Sequence, residues 1–111
     1  MTIQVKRDNL GQATVVSIEG SVDIYSSPEL RGELKVALDG KVPRLVIDMG
    51  GVSFVDSSGL ATLIEALQKV QVYSGKLVLC NLSAKVLGVF QLANLDHIFQ
   101  IRETRESALK G

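Results

Sequence analysis

Phe54-Val-Asp-Ser-Ser-Gly-Leu-Ala-Thr-Leu63 (FVDSSGLATL) stands between two strongly apolar segments. An acid, two adjacent hydroxyls and a glycine interrupt the chain where it should be turning. Upstream, Arg44–Gly50 (RLVIDMG) is a short apolar run after a proline, the pattern of a strand buried on both faces. Downstream, Leu60, Leu63, Ile64, Leu67 and Val70 recur at helical spacing. The spacing predicts a helix beginning at Ser58 and stopping near Ser74-Gly75. Strand, polar turn and amphipathic helix in succession mark an α/β protein.

Working outward, Ile3–Arg7 (IQVKR) alternates as a half-exposed strand does, and Asn9-Leu-Gly11 offers a turn. Ala13–Gly20 is a second strand rich in β-branched residues, so the pair reads as a hairpin. Ser27-Pro28 signals a helix start, with Ser27 as the capping hydroxyl. Leu30, Leu34, Ala37 and Leu38 then form one apolar face, ended by Asp39-Gly40. Lys76–Leu82 reads as another buried strand. Ser83 caps a third helix with Val86, Leu87 and Phe90 inward, His97–Ile101 reads as a last strand, and Thr104 caps a short final helix. The expected order is β-β-α-β-α-β-α-β-α, a mainly parallel mixed sheet with right-handed crossovers, an N-terminal hairpin strand and flanking helices.

The bulk numbers suit one compact domain spanning residues 1–111 with an aliphatic core: 46% of residues are apolar and only 5% aromatic. Twelve basic and twelve acidic residues balance, which argues against a sequence-independent nucleic-acid binder. Cys80 is the single cysteine, so no intrachain disulfide can form, and KLVLCNL around it reads as a buried strand. The first ten residues do not read as a signal peptide, and no apolar run approaches a membrane span. The expectation is a cytoplasmic protein with no membrane or nucleic-acid partner.

In such a sheet the loops at the carboxyl ends of strands carry function. Two of them attract notice, Gly20–Ser27 after the second strand and Gly50–Gly59 after the third. If those strands are parallel neighbours, Asp23 and the Asp56-Ser57-Ser58 cluster lie close together. Ser57 and Ser58 stand at a helix N-terminus, where free N–H groups and the macrodipole favour an anion. A phosphate on Ser57 would find donors there, and Gly59 removes a side chain that would crowd it. The plainer reading makes one serine the N-cap, Asp56 a turn residue and Asp23 a solvated acid. Other chemistry is poorly supported. Asp48 and Asp56 lack a third metal ligand. A hydrolase using Ser58 lacks a nucleophile elbow and a placed histidine, since His97 lies far along the chain. No phosphate-binding or dinucleotide fingerprint occurs. No cofactor and no catalytic residue is expected.

At this level of detail the chain resembles a known family. VSFVDSSGLATL (residues 52–63) is similar to the signature of the STAS domain, in particular that of bacterial anti-sigma factor antagonists. IEGSVDIYSSPELRGEL (residues 18–34) resembles a second hallmark, with Gly20-Ser-Val-Asp23 in a G-x-x-D setting, and residues 75–101 resemble the C-terminal half. The resemblance covers nearly the whole chain. It implies a partner-switching regulator that is not an enzyme. The unphosphorylated protein would bind an anti-sigma factor that is also a serine kinase, and would thereby free the sigma factor. Phosphorylation would release it, and a PP2C-type phosphatase would reset it. By the same resemblance Ser57 is the phosphoacceptor, Asp23 is an acid needed at the partner surface, and Ser58 and Gly59 match the motif's next hydroxyl and glycine; Asp56, Ser58, Gly59 and Thr62 are expected to join Asp23 in partner binding. Thr62, Glu65 and Lys69 are expected on the outer face of their helix. Ala61 departs from the glycine many members carry there, which stiffens the helix start. The alternative within the same fold is a STAS subunit of a stress-signalling scaffold or transport complex without a phosphorylation switch.

Overall fold

The structure, a computed structural model, describes residues 3–110. Among these residues the chain runs β1 (Ile3–Asn9), β2 (Ala13–Val22), α1 (Ser27–Asp39), β3 (Arg44–Val55), α2 (Ser57–Val72), β4 (Lys76–Cys80), α3 (Ala84–Leu92), β5 (Gln100–Arg102) and α4 (Arg105–Lys110). The element order matches the one read from the sequence. The strands lie in the sheet in chain order, β1 antiparallel to β2 and β2 through β5 parallel. Each parallel step therefore needs a crossover, and the helices supply it.

Side-chain alternation divides the core. Val16, Ile18, Leu45, Ile47, Leu77 and Leu79 point to one face, against Leu30, Leu34 and Leu38 of α1, Leu63, Leu67 and Val70 of α2, and Val86 and Phe90 of α3. Val15, Val46, Val78 and Cys80 point the other way and are covered by Ala108 of α4, with Leu109 beside it. This explains the unbroken apolar runs Leu45–Ile47 and Leu77–Cys80 of the central strands: both faces are buried there. Cys80 has no solvent exposure, as expected of a small core residue.

Several boundaries differ from the sequence reading. Residues 51–55, expected in a loop, continue β3, because Gly51, Val52, Phe54 and Val55 keep pairing with β2 as far as Val22. Register shifts between Ser17 and Glu19 and between Gly20 and Ser21 make that possible. A methyl group on Gly51 would lie 3.0 Å from the Ile18 carbonyl, so the close pairing needs the glycine. The last strand is Gln100–Arg102 and not His97–Ile101. Residues 95–99 turn instead, with the amides of Ile98 and Phe99 donating to the Leu95 carbonyl. Phe99 thereby swings inward, its ring 5.6 Å from that of Phe90 in an edge-to-face pair.

Candidate functional site

The site lies where the parallel neighbours β2 and β3 end together. Their partnership brings the turn after Val22 beside the turn after Val55. The turns that carry Asp23 and Asp56 come together as anticipated, linked through the two residues that flank Asp23. The Ile24 amide donates to Asp56 Oδ2 at 3.2 Å, and the Asp56 amide donates to the Val22 carbonyl at 3.1 Å.

Asp56, and neither serine, is the N-cap of α2. Its backbone is extended, and Oδ1 accepts the Gly59 amide at 3.0 Å. The cap frees Ser57 from structural duty. It occupies the first helical position and is exposed, with its hydroxyl among the open ends of the helix. Ser58 is half-buried, and its carbonyl accepts the Thr62 hydroxyl at 3.0 Å.

Two predicted contact residues lie inside. Thr62 is 1% exposed and does not share the outer face with Glu65 and Lys69. The buried stripe of α2 runs through Gly59, Thr62, Leu63, Ala66, Leu67 and Val70, whereas Leu60 and Ile64 are half-exposed. The largest apolar residues did not mark the centre of the stripe, because small side chains let α2 approach the sheet. Gly59 is the point of closest approach. A methyl group there would lie 2.7 Å from the Val22 carbonyl oxygen and 2.8 Å from Val22 Cγ1. Its glycine serves packing at the end of β2. Glu65 does lie outward, accepting Arg31 Nε from α1 at 3.2 Å and pairing with Lys69 at 3.0 Å. The Lys69 and Arg31 contacts hold its carboxyl below the usual range.

The turn before α1 is a hydrogen-bonded knot of side chains. Asp23 Oδ1 accepts the amides of both Tyr25 and Ser26 at 3.0 Å. Ser26 Oγ accepts the Asp23 amide at 2.9 Å and donates to the Ser21 carbonyl at 2.7 Å. The Ser27 hydroxyl does not cap the helix. It donates to the Asp23 carbonyl at 2.6 Å, and the cap position falls to Ser26. With these groups spoken for, Ile24 and Tyr25 are pushed outward, 63% and 83% exposed. The sequence reading passed over this pair. Two large apolar residues inside a segment of turn formers were the available signal. An open groove of about 330 Å³ runs beside them, lined by Ile24, Ser27, Pro28, Arg31, Ser58 and Ala61. A larger cavity of about 430 Å³ lies between β1 and α1, around Arg7 and Glu33, and is lined by neither Asp23 nor any residue of the Asp56–Gly59 turn.

The remaining candidates do not join the site. Asp48 lies back along β3, bound to Arg105, Asn81 and the Gly50 amide, and does not meet Asp56. Among the described residues no cluster of three metal-ligating side chains occurs. His97 precedes β5, at the edge of the sheet opposite the serines, and its side chain is 86% exposed. The site therefore offers an exposed hydroxyl, a carboxylate bridge and an apolar rim. It suits recognition and modification.

Comparison with known proteins agrees with that geometry. The model of the STAS domain matches residues 3–108. The anti-sigma-B factor antagonist of Bacillus subtilis (strain 168) is 34% identical over 95 residues, 86% of each chain. The crystal structure of an anti-sigma factor antagonist from Mycobacterium paratuberculosis superposes with a TM-score of 0.90, at 26% identity, covering 98% of this chain and 92% of that one. The Bacillus cell fate determinant SpoIIAA, solved in its phosphorylated form, shares the fold at a TM-score of 0.74 and 22% identity, with 96% of this chain and 97% of that one covered. A sheet of this order, capped on α2 by Asp56 and matched from end to end by that domain, places the chain in the STAS-domain family.

Proposed function

We propose that the protein is an anti-sigma factor antagonist that works by partner switching on Ser57. In the unmodified state it binds an anti-sigma factor that is also a serine kinase. The kinase transfers phosphate to the Ser57 oxygen, the complex parts, and a PP2C-type phosphatase restores the hydroxyl. The cytoplasm is its place of action; no helix of the described residues is long and apolar enough to cross a membrane. The relatives named as antagonists support the first part of this reading. The observation that carries the second is the exposure of Ser57 at the first position of α2, with the capping role taken by its neighbour Asp56.

The switch is electrostatic. A phosphoserine carries about −1.5 to −2 charges at neutral pH. It would arise beside Asp56 and near Asp23, on a surface facing a kinase that itself holds nucleotide phosphates. A further pair of like charges about 6 Å apart costs on the order of 3 kcal/mol at an effective dielectric near 20. That corresponds to roughly a hundredfold in affinity, reduced by salt at an exposed surface. Within the free protein the N-terminus of α2 makes the phosphate tolerable, so the fold need not change. Asp23, Asp56 and Ser58 contribute to the partner surface, with Ile24 and Tyr25 as its apolar rim. Gly59 and Thr62 serve it from within, by setting the approach of α2.

The test is incubation with the candidate kinase and ATP, followed by mass mapping. Phosphate is expected at Ser57 and absent from Ser57→Ala. Incorporation at Ser58 alone, or none while the two proteins still bind and part with nucleotide, overturns the reading.

A further inference from the structure

We propose that Asp56 is a positioning residue that couples the acceptor serine to the Ile24–Tyr25 loop, so that a phosphate on Ser57 is felt at that loop. This deepens the function proposed above and rests on Ser57 being the acceptor. The two carboxylate oxygens of Asp56 have separate tasks. Oδ1 holds the Gly59 amide and so caps α2; Oδ2 holds the Ile24 amide, 32 residues earlier in the chain. The rest of the turn is organised by Asp23, whose Oδ1 takes the next two amides, those of Tyr25 and Ser26. Asp56 is thus the side chain that joins the turn after β2 to the start of α2. The residues positioned by this joint, Ile24 and Tyr25, are largely exposed, so their own side chains anchor the loop weakly.

A phosphate on Ser57 would be attached to the residue next to Asp56. It would draw on the same N-terminal donors of α2, the Gly59 amide among them, and would repel the carboxylate. Asp56 cannot then keep both bonds unaltered. The bond to Ile24 is the longer, 3.2 Å against 3.0 Å, and is exposed, so it yields first. Loss of that bond loosens the loop at Ile24, while the Tyr25 amide stays on Asp23. The charge on Ser57 would therefore remove an organised recognition surface as well as repel the partner.

Asp56→Asn separates the two tasks. Its single amide oxygen can still take the Gly59 amide, and asparagine caps as well as aspartate does. Its NH2 group cannot accept from Ile24. Amide–water exchange is measured by NMR on four ¹⁵N-labelled proteins: native and Asp56→Asn, each with serine or with phosphoserine installed at position 57 during synthesis. In the native background phosphoserine is expected to speed Ile24 amide exchange by about tenfold, the loss of one hydrogen bond. Asp56→Asn alone should do the same, and phosphate should then add nothing, while the Gly59 and Leu60 amides stay protected throughout. An Ile24 amide that ignores the phosphate in the native background overturns the proposal. So does an equal phosphate response in Asp56→Asn, which would mark a direct field effect. Asp56→Ser, which also caps through one oxygen, replaces the asparagine variant should that fail to fold. Because the phosphoserine is installed, a kinase that ignores Ser57 would refute the proposed function without deciding this test.

Discussion

Nη2 of Arg105 stands 2.9 Å from a carboxylate oxygen of Asp48 and ties the first residue of α4 to β3 across 57 positions of chain. Nε of the same guanidinium reaches that oxygen at 3.1 Å, and Nη2 also donates to Ser17 Oγ at 2.9 Å. A six-residue helix has little stability of its own. The pair, with the Arg44 donation to the Ala108 carbonyl at 3.0 Å, pins α4 over the back of the sheet.

Arg105→Ala should therefore destabilise the fold by about 1–2 kcal/mol, a charged hydrogen-bonded pair discounted for the part-exposed arginine. Urea unfolding measures it. The same variant should alter the acid limb of stability. Burial raises the Asp48 carboxyl, but the Gly50 amide, Asn81 and Arg105 together outweigh it and hold the group below its ordinary 3.8. The stabilisation is complete above 3.8 and is lost as pH falls through the lower folded value. Native protein should lose stability there more steeply than Arg105→Ala; parallel curves would show that the pair contributes little.

Cys80 offers a reporter of the same helix. Burial and the Asp48 charge push its thiol up to about 11. With no exposure and no thiolate at neutral pH, it should be inert to a disulfide reagent until the protein opens. Arg105→Ala should raise the labelling rate several-fold while the circular dichroism of the bulk fold is retained. Rapid labelling of the native protein would mean that α4 does not cover the thiol in solution.

Two helical glycines should respond in opposite directions to alanine. At Gly59 the new methyl meets the backbone and side chain of Val22, so a loss of about 1–3 kcal/mol is expected despite the better helix propensity. At Gly88 in α3 nothing lies within 4 Å of the added methyl, and a gain of about 0.5–1 kcal/mol is expected. Thermal melts of the two variants decide it. A stabilised Gly59→Ala would contradict the close approach of α2 to β2.

Replacing both Ile24 and Tyr25 by serine should leave the melting temperature nearly unchanged, since both are largely exposed. If the loop is the apolar rim of the partner surface, affinity for the cognate anti-sigma factor should fall at least tenfold. Titration calorimetry against that protein makes the comparison. Unchanged affinity would move the contact away from this turn.

Much of the site could be read in advance, and its failures have identifiable causes. The capping hydroxyl of Ser83, which accepts the Val86 amide at 3.2 Å, was legible because caps are local. The proximity of Asp23 and Asp56 was legible given one condition, that their strands pair in parallel. The choice of Asp56 over a serine as cap was not, because aspartate and serine are both good caps and the geometry of the preceding strand selects among the three positions. Thr62 was misplaced because a threonine is ambiguous in a helical pattern; its hydroxyl is satisfied by the Ser58 carbonyl, so burial carries little penalty. The extent of β3 was missed because the Gly50-Gly51 pair resembles a turn, and only the pairing of Gly51 and the residues after it with β2 continues the strand.

The amino-acid order alone determined the succession of strands and helices, the aliphatic core and the polar turns where chemistry would fall. Those properties follow from periodicity and from the preferences of single residues, which act over a few positions. Tertiary structure alone decided that Asp56 reaches across to Ile24, that Gly59 lies against Val22, and that Arg105 finds Asp48. Each is a meeting of residues more than thirty positions apart. Such meetings depend on how parallel strands align and how closely helices settle on them, and that balance belongs to the packed whole.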